Sequence, residues 1–158
     1  MSYPHNLLPS PFQGRISEDI PEEDYIAVNG QAVPTVLSGT DREYEAFRNT
    51  VGLIDFSMLF KFEVSGPGSI DTVNQIFSRD VAAIEPGSIA YGVVVDENGM
   101  MMDDCTVLVF APDHVRITCG NFAIGDLLTG LLTNGQSLTE RRSEIATLSV
   151  QGPNSRAL

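Results

Sequence analysis

The stretch Tyr91–Phe110, "YGVVVDENGMMMDDCTVLVF", sets the narrowest limit on the fold. Two apolar runs flank the polar tetrapeptide Asp96–Gly99, the pattern of an antiparallel hairpin. The second arm carries two adjacent aspartates, Asp103 and Asp104. Strand alternation sends them to opposite faces. Asp104, Thr106, Leu108 and Phe110 share one face; Asp103, Cys105, Val107 and Val109 share the other. Both faces are largely apolar, which predicts a strand covered on both sides. A carboxylate turned towards a covered face needs hydrogen-bond partners or a raised pKa, and lining a pocket meets that need.

The turn fixes where Tyr91 falls. With Asp96–Gly99 as the loop, Tyr91 stands opposite Asp104 on the same face. With Asn98-Gly99 alone as the turn, it stands opposite Thr106. In either register an aromatic ring and a carboxylate project from one hairpin face, an arrangement suited to a flat heterocycle bearing N–H groups. The alternative is a solvated carboxylate pair at a sheet rim, with Tyr91 as strand filler.

Elements of both periodicities surround the hairpin. "TDREYEAFRNTVG" predicts a helix with Thr40 and Glu43 as a capping box, Tyr44, Phe47 and Val51 on one face, and Gly52 as its stop. "SMLFKFEV" alternates: Met58, Phe60, Phe62 and Val64 point one way, Leu59, Lys61 and Glu63 the other, a half-buried strand. "SIDTVNQIF" predicts a helix with Ile70, Val73 and Phe77 on one face. "VRITC" reads as a strand, "FAIGDLLTGLL" as a helix ended at Asn134-Gly135, and "EIATLSV" as a further strand. "VSGPGS" (Val64–Ser69) and "VQGPNS" (Val150–Ser155) share V-x-G-P-x-S, each expected to leave a strand and open a helix.

The resulting order is β-α-β-β-β-α-β, an α+β fold with helices packed on one side of a mainly antiparallel sheet. It is expected to be incomplete at the C-terminus, because "NSRAL" leaves barely more than one turn after Pro153 and so short a helix cannot hold itself. The chain reads as a fragment or half of a split protein, with the remainder of the parent chain as a partner. Residues 1–39 form an irregular arm with five of the nine prolines. Asn29-Gly30 suits the tight turn of a hairpin within it, with Pro34 weakening the second arm. Residues 40–158 form the main domain.

Nine basic against 21 acidic residues give a net charge of −12, which argues against nucleic acid as a partner. No apolar run reaches a membrane span, and the N-terminus lacks a secretory pattern, so a cytosolic protein is expected. Cys105 and Cys119 are the only cysteines and read as buried thiols on neighbouring strands. His5 and His114 lack ligand-like spacing with them, so no metal is expected.

Four segments, "EYEAFRNTVGLIDFS", "KFEVSGPGS", "RDVAAIEPGSIAYGVVVDENGMMMDDCTVLVF" and "LSVQGPNSRAL", in this order resemble the N-terminal portion of the aminomethyltransferase family, which includes the glycine cleavage T-protein. The resemblance runs from about Glu43 to Leu158. It implies a tetrahydrofolate-binding fold and folate-dependent one-carbon transfer, with Asp104 as the catalytic carboxylate near the reacting nitrogens. It implies Tyr91, Leu59, Leu108 and Asn121 as further folate-pocket residues; Asn121 also reads as an N-cap for the following helix. The donor implied is an aminomethyl group on a lipoyl carrier, or a small methylated compound, as in relatives that act as demethylases. T-proteins read "DVSHMG" where this chain has "DFSMLF" (Asp55–Phe60), and a family pocket tyrosine is here Leu108. The family's remaining folate contacts lie beyond residue 158, so the isolated chain is expected to be inactive.

Overall fold

The computed structural model describes Pro4, residues 6–16 and residues 19–158; His5 lies outside the described residues. In chain order the regular elements are β1 (Tyr25–Val28), β2 (Gln31–Pro34), α1 (Thr40–Asn49), β3 (Gly52–Asp55), β4 (Phe60–Ser65), α2 (Ser69–Asn74), β5 (Ile89–Val95), β6 (Met101–Ala111), β7 (His114–Cys119), α3 (Ala123–Leu131), β8 (Ser137–Glu140) and β9 (Leu148–Gln151). The chain forms two compact units, Met1–Met58 with Ile145–Leu158, and Leu59–Glu144.

In the first unit the Asn29-Gly30 dipeptide turns the β1–β2 hairpin, both residues having positive φ (51° and 76°). Tyr25 and Ala32 of the hairpin are buried in one cluster with Ile20. Helix α1 begins one residue earlier than expected. Gly39 holds the N-cap position, and Thr40 is already helical. Glu43 accepts instead from the N–H groups of Leu37 (2.7 Å) and Ser38 (2.5 Å), ahead of the N-cap, so the expected Thr40–Glu43 capping box is not formed. The expected apolar face is weak, for Tyr44 stays 61% exposed. Gly52 does not stop the helix but opens β3, an element missing from the expected order. Strand β3 pairs with β9 in a separate two-stranded antiparallel sheet.

The second unit holds a five-stranded antiparallel sheet in the order β5-β6-β7-β4-β8. Helices α2 and α3 cover one face. Val73, Ile124 and Leu128 pack there with Phe62, Val64, Val107, Val109, Val115 and Ile117 in one core cluster. This is the α+β layout expected, with β8 as a second strand the pattern did not reveal. Strand β4 corrects the half-buried reading. It lies between β7 and β8, and Phe60 to Val64 are all buried, Lys61 and Glu63 included. Lys61 Nζ donates to the Leu59 carbonyl at 2.9 Å. Glu63 accepts from Arg116 (2.9 and 2.5 Å) and lies 3.3 Å from His114 and 3.4 Å from Arg141.

The two V-x-G-P-x-S loops adopt one conformation. Gly66 and Gly152 have φ of 111° and 116°, and the serine N–H three residues on donates to the glycine carbonyl at 3.2 and 3.1 Å. Each follows a strand and opens a helical turn, α2 in one case and a short 3₁₀ turn at Ser155–Ala157 in the other.

Candidate functional site

The β5–β6 hairpin resolves the choice of register. Tyr91 stands opposite Thr106 and Val93 opposite Asp104, while Val95 stands opposite Met101. The one-residue shift between Val94 and Val95 makes Met102 the extra residue of a β-bulge. The tip is Asp96–Met100. Asp96 Oδ1 accepts from the N–H groups of Asn98 and Met100, both at 2.9 Å, and these bonds, that of Met100 first, hold its carboxyl below the usual range. Neither expected turn is formed; a longer tip plus a bulge gives Tyr91 the partner expected from the two-residue turn. The bulge has a chemical consequence. Continuing the Val95–Met101 register would set Tyr91 opposite Cys105 and put Asp103 on its face; the added residue puts Asp104 there instead.

The Tyr91 hydroxyl donates to Asp104 Oδ2 at 3.0 Å. That bond and the negative charge of Asp104 push the tyrosine pKa above its ordinary value. Tyr91 is 61% exposed and Asp104 exposed; Thr106 and Leu108 beside them are half-buried. The expectation that β6 is covered on both sides is thereby corrected. Cys105, Val107 and Val109 face the helices at 2% exposure or less, while the Asp104 face is open over β5 and β6, with Ile89 63% and Phe110 38% exposed. The two faces looked alike in sequence because the open one also carries apolar and aromatic groups.

Leu108 lies on the Tyr91–Asp104 face, four residues along β6, with Ile89 as its register partner on β5. The other two residues implied by the resemblance stand apart. Asn121 sits between β7 and α3. Its side chain accepts from the Ala123 N–H (3.0 Å) and donates to the Met102 carbonyl (3.2 Å), a helix-start role. Leu59 precedes β4, and a Cβ on Gly120 would lie 3.8 Å from its side chain.

Asp103 answers the burial problem without a pocket. It is half-buried, and its Oδ2 accepts from the backbone N–H groups of Gly120 (2.5 Å) and Asn121 (2.9 Å), anchoring the turn from β7 into α3. Sequence reasoning missed two further features of the Tyr91 neighbourhood. Arg79 Nη1 donates to the Tyr91 carbonyl at 3.3 Å, and Ser78 pairs with Val93 through its N–H and its hydroxyl, both at 2.9 Å. Ser78 and the Phe77–Val94 bridge thus cover the outer edge of β5.

Comparison with known proteins places the chain. Residues 16–158 match the model of the GCVT N-terminal domain, and the chain belongs to this family. An aminomethyltransferase of Mycobacterium leprae (strain Br4923) is 31% identical over 135 residues, covering 84% of this chain and 37% of the relative. One from Mycobacterium avium (strain 104) is 30% identical over 158 residues, covering 98% of this chain and 42% of the relative. The chain thus spans well under half the length of these relatives. Among solved structures, the glycine cleavage system aminomethyltransferase T from Bartonella henselae superposes with a TM-score of 0.75 at 21% identity, over 96% of this chain and 42% of that one, a likeness of fold.

Proposed function

We propose that the chain is the N-terminal part of a tetrahydrofolate-dependent one-carbon transferase, residues 40–158 contributing one wall of the folate site and residues 1–39 an arm. The observation that carries this reading is the Tyr91–Asp104 pair on an open sheet face, within a member of the aminomethyltransferase-related family. The residues fit a reduced pteridine. Tyr91 offers an aromatic plate and Leu108 an apolar side chain. Tyr91 occupies Asp104 Oδ2, while Oδ1 has no hydrogen bond among the described residues and can accept one from a ligand N–H. Tetrahydrofolate, when bound, supplies nitrogen nucleophiles that take up a one-carbon unit. Asp104 is positioned to orient or accept the proton such a nitrogen must lose, with Tyr91 fixing the carboxylate rotamer. Leu59 and Asn121 stand as further pocket residues on the resemblance alone.

The donor is either an aminomethyl group on a lipoyl carrier or a small methylated compound. The net charge of −12 and Met58, in the place of a family histidine, favour the small molecule. A reduced pteridine and two free thiols are both consistent with a cytosolic setting. Among the described residues, no helix is long and apolar enough to cross a membrane.

The decisive experiment is turnover of candidate donors by the parent protein, with tetrahydrofolate affinity measured by calorimetry. Asp104→Asn is expected to lower turnover about 10²–10⁴-fold while leaving binding largely intact. Undiminished turnover would sink the catalytic assignment. Binding without transfer to any donor would leave a non-catalytic folate module, and absence of binding would reject the folate reading.

A further inference from the structure

We propose that Asp103, Cys105 and Cys119 form a binding site for a divalent transition-metal ion of the zinc class. Three observations converge on it. Asp103 and Cys105 are two residues apart on β6 and share a face, while Cys119 is the register partner of Cys105 on β7. The pairing sets the two thiols side by side and all but excluded from solvent, with Cys119 Sγ donating to the Asn121 carbonyl at 3.6 Å. One carboxylate oxygen and the two sulfurs all lie within 4.8 Å of one another. A tetrahedral ion with metal–sulfur bonds of about 2.3 Å and metal–oxygen bonds of about 2.0–2.2 Å holds such donors roughly 3.5–3.8 Å apart. Small side-chain rotations therefore close the shell, with no movement of either strand.

The carboxylate is also held in advance. Gly120 and Asn121 N–H groups grip Asp103 Oδ2, and Oδ1 has no hydrogen bond among the described residues. Ligating carboxylates are commonly oriented in this way by a hydrogen-bonded surrounding. Two sulfurs and one oxygen form a borderline donor set. Calcium and magnesium require oxygen throughout, and copper(I) favours sulfur throughout, whereas zinc takes both. Three protein donors leave one tetrahedral position open. The ion would tie β6, β7 and the turn into α3 together. It would lie on the opposite side of β6 from Asp104, apart from the chemistry proposed there. Histidine spacing could not reveal this site, because its third donor is an aspartate brought in by strand pairing.

The test is cobalt(II) titration of the reduced chain in the absence of oxygen, followed by displacement with zinc(II). One equivalent is expected to bind and to produce a thiolate-to-cobalt charge-transfer band. Cys105→Ser and Cys119→Ser should each remove roughly half of that band, one of two thiolates being lost. Asp103→Asn should keep the band and weaken binding about tenfold or more. Because buried serines can unfold the variants, X-ray absorption of the zinc-loaded wild-type chain provides a second readout, with two sulfur neighbours expected. A cobalt spectrum without a thiolate band, a band unchanged in both serine variants, or a zinc shell without sulfur would overturn the proposal.

Discussion

Tyr91 donates its hydroxyl to Asp104 although its partner across the strands is Thr106, so the bond runs diagonally to the residue opposite Val93. A diagonal contact of this kind lies within reach of a tyrosine but of few shorter side chains. The neutral phenol is the form that can donate. Ionisation of Tyr91 is therefore opposed by the carboxylate it would lose. Spectrophotometric titration is expected to show one tyrosine ionising above the others, and Asp104→Asn should return it to the ordinary range near pH 10. The stabilisation from this bond is fully present below the unfolded tyrosine pKa and lost as pH rises through the higher folded value. A titration curve unchanged by Asp104→Asn would contradict the bond.

Glu63 governs the acid limb of stability. Burial raises its pKa, but hydrogen bonds from Arg116 and His114 and their positive charge together outweigh that effect and leave it below the usual value. Its contribution is present above the unfolded glutamate pKa, about 4.3, and is lost as pH falls through the lower folded value. Glu63→Gln strands Arg116 and Arg141 and should cost about 3 kcal/mol at neutral pH. Urea unfolding at pH 7 and pH 3 checks both statements. A loss of equal size at the two values would refute the linkage.

Gly66 and Gly152 should tolerate no side chain. A Cβ would approach the Gly135 carbonyl oxygen to 2.2 Å in the first case and that of Thr50 to 2.6 Å in the second. Positive φ alone adds strain of about 1–3 kcal/mol for alanine. Thermal unfolding of Gly66→Ala and Gly152→Ala should reveal losses at least this large. Gly14→Ala, where nothing lies within 4 Å, serves as the near-neutral control.

Gly92 links the core to the open face. A Cβ there would lie 2.6 Å from the Phe77 ring, whose backbone helps cover the edge of β5. Gly92→Ala is expected to displace Phe77 and destabilise by about 1–3 kcal/mol. It should also raise amide hydrogen exchange at Val93, whose N–H is held by Ser78. Exchange at Val93 no faster than in the wild type would show that the edge does not depend on the ring.

What the sequence revealed follows the reach of each signal. The hairpin, α2, α3 and the helices-on-one-side layout were legible because periodicity and turn residues are local. Strands β3 and β8 were not, since each is four residues long and acquires its partner from far along the chain. The burial of Lys61 and Glu63 was hidden too. A charge reads as a solvated face until Arg116, His114 and Arg141 are brought to it by strand order. At the site, Tyr91 and Asp104 could be paired from alternation, but the register could not. The single extra residue at Met102 leaves no compositional trace.

That residue couples two parts of the chain that look independent. Drawing Met102 into the ladder opposite Val94, with the length of β6 unchanged, would trade the environments of Asp103 and Asp104, sending Cys105 to solvent and Thr106 into the core. Among natural relatives, length changes at the Asp96–Met100 tip are then expected to leave the bulge untouched, or to arrive together with its loss and a shift of the acidic residue by one. Insertions spliced between Glu97 and Asn98 should be tolerated for the same reason, giving an attachment point for a reporter beside the candidate site.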